Sequence, residues 1–168
     1  MKYENHVEAF NERKETIKKW GLDIRGIENS QRIIGDNASK AIVELLSAYL
    51  HKKRLVEEGF QLNHSWFKSE RVNEKLPEFD TEKIDFAQTP HFSSRESKIN
   101  FRGAQELQTR SGIYSGVLDN KNKIVAKLIE LEKLCENLSY GVPKEVEKIK
   151  KALNLFDEIE KMLWEMIE

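Results

Sequence analysis

The chain of 168 residues is long enough for about one domain with a sizeable core. Charged residues make up 34% of it, apolar residues 39%, and the net charge of −1 excludes a polycation that binds nucleic acid by overall charge. No run approaches the roughly 20 apolar residues of a membrane-spanning helix, and the charged N-terminus predicts no signal peptide. We therefore expect a cytoplasmic protein. The single cysteine, Cys135, excludes an internal disulfide and a cysteine-based zinc site, and its place on an apolar face predicts burial.

Two helices are predicted in the first third of the chain. Residues 5–20 carry apolar residues at helical spacing, and Gly21 is a plausible stop for that helix. The stretch 26–35 is ambiguous, because its two glycines weaken a continuous helix. A second helix is predicted over residues 36–58, with Asp36 as its N-cap. The apolar residues expected to face inward are Val7, Phe10, Ile17 and Trp20 in the first helix, and Ala38, Ala41, Ile42, Leu45, Leu46, Tyr49 and Leu50 in the second.

A short helix and a helical hairpin complete the predicted helices. The short helix is expected over residues 63–72, and the hairpin consists of helices over 123–139 and 144–167. Gly141 can end the first of these in the left-handed conformation, and Pro143 suits the first turn of the second. The residues expected to face inward are Trp66, Phe67, Ile124, Leu128, Leu131, Leu134, Cys135, Leu138, Val146, Ile149, Leu153, Phe156, Ile159, Leu163 and Met166.

Residues 80–119 differ from the rest of the chain, because they contain three of the eight glycines and no long helical pattern. Short alternation at 99–101 and 113–117 weakly predicts two strands. About 40 residues without a helix are long for a loop inside a bundle, which indicates an insertion. We expect an extended arm that packs on the flank of the bundle or, preferably, pairs a strand with another chain, through Phe86, Phe92, Phe101, Ile113 and Val117.

Histidine spacing gives no support to a metal site. None of His6, His51, His64 and His91 is paired with another histidine at a spacing of four, and no H-E-x-x-H motif is present. The chain has no glycine-rich phosphate loop, and residues 112–116, Gly-Ile-Tyr-Ser-Gly, are not the G-x-S-x-G of a nucleophile elbow. The sequence therefore predicts no catalytic residue, no metal ligand and no cofactor.

Five residues are candidates for a binding site. His51, Lys52 and Arg54 lie at the end of the long predicted helix, where the helix dipole favours cations by up to roughly 1 kcal/mol each. They are therefore either helix-terminal charges or part of a catalytic or RNA-binding site. His64, which follows a turn, either fixes its loop by a hydrogen bond or belongs to a site. Tyr140, at the tip of the hairpin, is a cap contact or a stacking platform.

Four segments resemble an archaeal family of small helical proteins related to the HEPN superfamily. They are Arg32-Ile-Ile-Gly-Asp36, Glu44-Leu-Leu-Ser-Ala-Tyr-Leu-His51, Asn63-His64-Ser65-Trp66-Phe67-Lys68-Ser69 and Glu136-Asn-Leu-Ser-Tyr-Gly141. The resemblance covers residues 1–79 and 120–168, and it implies one discontinuous domain interrupted by the insert at 80–119. It also implies an all-α antiparallel bundle of four to five helices, frequently dimeric.

Members of that superfamily include ribonuclease toxins, partners of small nucleotidyltransferases and non-catalytic RNA-binding modules. The nucleases use an Arg followed four to six residues later by a His, near the start of a late helix. This chain lacks that pattern, because no Arg stands at that distance before His64 or His91 and no His follows residue 91. The resemblance therefore carries over no catalytic residue, and it favours a binding role.

Three hypotheses of function follow. The first is a non-enzymatic HEPN-like interaction module that binds a nucleotidyltransferase, RNA or a second copy of itself as a homodimer or higher homo-oligomer. The second is an RNA-cleaving enzyme with an atypical site built from His51, Arg54 or His64. The third is a purely structural homo-oligomer. Clustering of the candidate residues in one concave pocket would favour a catalytic or ligand site, and their dispersal would favour the module.

Overall fold

The computed structural model describes residues 2–77, 114–142 and 145–168, and these residues form helices and turns without a strand. Helix α1 is Tyr3–Glu15, and a wider π-type helix continues it over Thr16–Arg25. Helix α2 is Gln31–Lys52, α3 is Tyr114–Tyr140 and α4 is Val146–Ile167. Short 3₁₀ turns lie at Ile27–Asn29, His64–Lys68 and Glu70–Glu74. The predicted all-α class is confirmed, and no helix in the described part of the chain is long and apolar enough to cross a membrane.

Helices α1, α2 and α4 and the part of α3 from Lys123 onward pack together within one compact unit, Met1–Pro77 with Lys123–Glu168. Pairs of residues in contact show that neighbouring helices run in opposite directions, since the numbers rise along one helix as they fall along the other. Such pairs are His6–Glu44 and Arg13–Asn37 between α1 and α2, Lys14–Glu160 and Lys18–Asp157 between the first helix and α4, and Lys127–Glu158 and Glu130–Lys151 between α3 and α4.

Helix α2 is the most buried element, because it contributes fourteen buried residues from Gln31 to Leu50. All seven of its predicted inward residues are fully buried or nearly so. Aromatic side chains of the core join α1 to α4. The centroid of the Phe10 ring lies 6.2 Å from the centroid of the Phe156 ring and 6.1 Å from that of the Trp164 ring. The predicted inward residues Ile17, Phe67, Ile124, Leu128, Leu131, Cys135, Leu138, Ile149, Ile159 and Leu163 are also buried.

The first helix does not end at Gly21, as predicted, but at Gly26. Gly26 has a φ of 74°, which favours glycine, whereas Gly21 is buried where a Cβ would lie 3.4 Å from Ile33 Cγ2. The earlier glycine is therefore an interior residue of the helix, where a Cβ would be in ordinary van der Waals contact with α2. Trp20, which was expected to face inward, is 54% exposed, because the π-type helix rotates its face away from the core.

Helix α2 begins five residues earlier than predicted and ends before Lys53. Asp36 is not its N-cap but an interior residue that accepts a hydrogen bond from Ser139 Oγ at 2.8 Å. Gly35 lies within helix α2 at a point where α3 passes close by. A Cβ on this residue would lie 2.7 Å from Ser139 Oγ. Glycine thus brings α2 and α3 together at a position where its low helix propensity suggested a break.

The hairpin tip also differs from its prediction. Gly141 is not left-handed; a Cβ there would collide with the carbonyl oxygen of Asn137, so a glycine is needed for space. Leu134, Val146, Leu153 and Met166 are half-buried rather than buried, and Pro143 lies outside the described residues. The short predicted helix at 63–72 is a pair of 3₁₀ turns, in which Trp66 is only half-buried.

The predicted strand at 113–117 is wrong from Tyr114 onward, since α3 begins there. Alternation over five residues is too short to separate strand from helix, and the long helical pattern that follows it extends backwards through it. The predicted strand at 99–101 and residues 80–113 of the insert lie outside the described residues, whereas residues 114–119, which were also assigned to the insert, belong to α3. The extended arm remains a prediction.

The aromatic contact between α1 and α4 leads to a test of the core. Phe156→Ala should lower the free energy of unfolding by about 3–5 kcal/mol, because it leaves a cavity among fully buried side chains. Asn154→Ala, on the exposed side of the same helix, should change it by less than about 0.5 kcal/mol. Urea denaturation followed by circular dichroism measures both, and equal small effects would contradict the assigned core.

Candidate functional site

A cavity of about 480 Å³ lies between the first two helices and the segment that leads into the 3₁₀ turns. Its size falls in the range of small-molecule sites. Its lining includes Arg13 of α1, Lys40 and Glu44 of α2, and His64 and Trp66 of the 3₁₀ turn His64–Lys68. The wall therefore combines two cations, one carboxylate, one imidazole and one indole within a single concave surface.

A second, smaller cavity of about 110 Å³ adjoins the first, because Lys40 and His64 line both. Its other walls include Glu132 of α3 and the exposed Tyr140. Lys68 lies at its rim, where the Glu136 carboxylate accepts a hydrogen bond from Nζ at 2.9 Å and thereby raises the pKa of the lysine. The two cavities together form a polar groove along α2.

His64 and Glu132 form a histidine–carboxylate pair at the junction of the cavities. The His64 Nδ1 atom lies 3.0 Å from Glu132 Oε1, and the glutamate side chain is only 6% exposed. Asn63 fixes the turn, since its side-chain oxygen accepts a hydrogen bond from the Ser65 amide at 2.9 Å. A carboxylate on Nδ1 sets the orientation of the ring and leaves Nε2 free to exchange a proton with a ligand.

The second oxygen of this glutamate, Glu132 Oε2, is buried and has no hydrogen-bond partner among the described residues. Such an atom lowers stability unless a donor reaches it. The sequence contained a signal that was missed: Glu132 stands four residues after Leu128 and three before Cys135, on the apolar face of its helix. A carboxylate at such a position needs a partner, and here the partner is a histidine from a distant turn.

A second buried pair supports the other end of the groove. His6 Nδ1 lies 2.6 Å from Glu44 Oε2, and the His6 side chain is 3% exposed. Its ring also stacks on that of His51, with 5.1 Å between centroids. Glu44 lines the larger cavity. The carboxylate in that cavity therefore already makes one hydrogen bond to an imidazole. Sequence spacing could not show it, since the partners are 38 residues apart.

The five predicted binding residues are dispersed. His64 and Tyr140 line the smaller cavity together, but His51, Lys52 and Arg54 line neither cavity. His51 Nε2 hydrogen-bonds the Phe60 carbonyl at 3.1 Å, which makes it a structural contact.

The other two cationic candidates, Lys52 and Arg54, lie outside the polar groove. Lys52 Nζ lies 5.0 Å from the centre of the Tyr3 ring, a cation–π contact that fastens the end of α2 to the start of α1. Arg54 is exposed, with a φ of 55°, just after the end of α2. The prediction that these cations stand at the end of a helix is confirmed, although the helix ends earlier than expected.

Metal ligation finds no support in the described part of the chain, which brings together no group of three or more His, Cys, Asp or Glu side chains suited to a metal ion. The thiol of Cys135, which lines the smaller cavity, is buried as predicted. Burial raises the pKa of this thiol to about 12. Cys135 is therefore a neutral packing residue and not a nucleophile.

Comparisons with models of protein families, with curated proteins and with solved structures give no match for this chain. The site is therefore interpreted from its own geometry and chemistry.

The raised pKa of Cys135 leads to a test of its burial. At pH 8 the folded protein should react with a thiol reagent such as iodoacetamide at least about 100-fold more slowly than the unfolded chain, because thiolate is scarce and access is blocked. Mass spectrometry with and without guanidinium measures the two rates. Labelling at equal rates in the two states would contradict the described packing of α3.

Proposed function

We propose that this protein is a non-enzymatic, HEPN-like helical interaction module. The observation that carries the proposal is four exposed large apolar side chains on two segments that both lie next to the start of α2, here together named the apolar end. Trp20 and Ile24 of the π-type helix are 54% and 60% exposed, and Tyr140 and Val142 at the hairpin tip are 89% and 73% exposed. Exposed large apolar side chains gathered in one region are typical of protein contact sites.

Buried contacts hold the apolar end together. The side-chain amide of Gln31, at the start of α2, donates to the carbonyls of Leu138 at 3.2 Å and Val142 at 2.9 Å. Its oxygen accepts from the Glu145 amide at 3.1 Å, so one buried side chain joins α2 to both sides of the hairpin tip. Gly21 lies beside Ile33, two residues after Gln31 on α2, so the π-type helix also lies next to the start of α2.

A second copy of this chain is the first partner that we propose. Aromatic residues such as Trp20 and Tyr140 contribute most to association when a partner buries them. The likeness to a frequently dimeric family supports the same partner, and it adds a nucleotidyltransferase or RNA as the partner of the assembled dimer. Dispersal of the five candidate residues also favours this role over catalysis.

Self-association through the apolar end can be tested by light scattering after size-exclusion chromatography. Wild-type protein should have the mass of a dimer at micromolar concentration, and Trp20→Ser/Ile24→Ser and Tyr140→Ser/Val142→Ser should each shift it toward the monomer with unchanged helicity, because each removes apolar contact area. Lys53→Ser, exposed at the opposite end of α2, should remain dimeric. A monomeric wild type, or dimeric double variants, would overturn this assignment.

A second candidate function rests on the His64–Glu132 pair. A histidine held through Nδ1 by a buried carboxylate can act through Nε2 as a general base toward a ribose 2′-hydroxyl, and Lys40 could then stabilise charge on the adjacent phosphate. This arrangement supports an RNA-cleaving enzyme with an atypical site. It would use His64 alone among the earlier candidates, because His51 and Arg54 line neither cavity.

Incubation with total RNA separates the two functions. The interaction module should leave the RNA intact, and His64→Ala and Glu132→Gln should behave like wild type in this assay. Cleavage by the wild type that both substitutions reduce by at least about 100-fold, the usual contribution of a general base, would establish the enzyme instead. Size-resolved electrophoresis of labelled RNA is the measurement, and Lys161→Gln controls for contaminating nuclease.

A further inference from the structure

The structure assigns a ligand site to the 480 Å³ cavity: we propose that it binds a small organic molecule through an oxyanion, a phosphate or a carboxylate, held by Arg13 and Lys40. This site is separate from the apolar end, so the proposal goes beyond the interaction module. Both cations are half-buried and stand on adjacent helices, with their side chains on the same cavity wall.

The charge balance of the cavity is the first support. Lys40 makes no ion pair with any residue that the structure describes, and Arg13 Nη1 makes only a long hydrogen bond of 3.4 Å to the neutral Asn37. The one carboxylate in the lining, Glu44, is already engaged by His6 at 2.6 Å. Among the described residues, the two cations of the lining therefore outnumber its one carboxylate, and in a partly desolvated space an oxyanion is held more strongly than in water.

The remaining walls suit the organic part of a ligand. Val43, Leu62 and Trp66 provide apolar contact, and Gln61 and Asn63 provide neutral hydrogen-bonding groups. Polar and charged side chains predominate in the lining, so the ligand that fits is itself polar and uses the three apolar residues for a limited contact. The cavity is too small for a folded partner, which distinguishes its ligand from the partner of the apolar end.

His64 adds a directional contact. Its Nδ1 atom is held by Glu132, so its Nε2 atom is left for a hydroxyl, an amine or an oxyanion of the ligand. Because the histidine and Lys40 line both cavities, a longer ligand can extend from the larger cavity toward the smaller one. The ligand class that fits is therefore a compact organic anion with at least one further polar group.

Inorganic phosphate and malonate are suitable probes, since they carry the two oxyanions without a variable organic part. Titrations of the full chain at constant ionic strength, with chloride as the balancing anion, should show saturable binding by ¹H–¹⁵N NMR. The largest shifts should occur at the amides of Lys40, Asn63 and His64. A response to only one probe identifies the oxyanion that the site prefers.

Charge-neutral variants decide whether the assigned cations are responsible. Lys40→Gln and Arg13→Gln should each raise the Kd at least about tenfold, the effect of losing one charge-assisted hydrogen bond. Lys161→Gln removes the same charge from a side chain that is 78% exposed on α4, and it should leave the Kd within about twofold.

Three results would overturn the site: neither probe saturates at millimolar concentration, all three variants bind like wild type, or all three weaken binding equally. The last would show a general effect of net charge. Trp20→Ser/Ile24→Ser, which changes residues that line neither cavity, should bind the probes like wild type. Failure of the interaction module would therefore leave this site standing, and failure of this site would leave the interaction module standing.

Discussion

Close packing around α2 is the constraint on which the rest of the structure depends. This helix is buried along most of its length, and small residues such as Gly35, Ala38 and Ala41 allow its neighbours to approach. At Gly35 even one added methyl group would meet α3. Since α2 also supplies Lys40 and Glu44 to the larger cavity, the packing that stabilises the bundle fixes the position of the candidate site.

The two histidine–carboxylate pairs show that the groove is polar at some cost in stability. Removing a carboxylate from water is unfavourable unless hydrogen bonds replace its solvent, and Glu132 Oε2 and His6 Nε2 lack partners among the described residues. An apolar pair of similar volume would pack at least as stably. The presence of the Glu132–His64 pair beside an open cavity therefore agrees better with a role in ligand contact than with stability alone.

The two functional hypotheses rest on two surfaces of different chemistry. The apolar end offers aromatic and aliphatic side chains to a macromolecule, whereas the groove offers cations and an oriented imidazole to a small anion. Gln31 belongs to the first and Lys40 to the second, and the two residues are nine positions apart on one helix. The proposed association at one end and the proposed ligand binding in the groove thus involve the same helix.

The sequence by itself determined the helices, the inward residues of α2 and the burial of Cys135, because these follow from periodicity within single segments. It did not determine what each glycine does: Gly35 and Gly141 stand where a Cβ would collide with neighbouring atoms, while the positive φ is at Gly26. Only the surrounding structure distinguishes the two uses.

The site was likewise decided by tertiary structure. His64 and Tyr140 were identified from local context, and the structure places them on one cavity wall. Arg13 and Lys40 carried no signal, since charged residues on amphipathic helices are ordinarily solvated. Their common wall, and the contact of His64 with a glutamate 68 residues away, arise when helices pack, because local spacing encodes the face of a helix but not which faces meet.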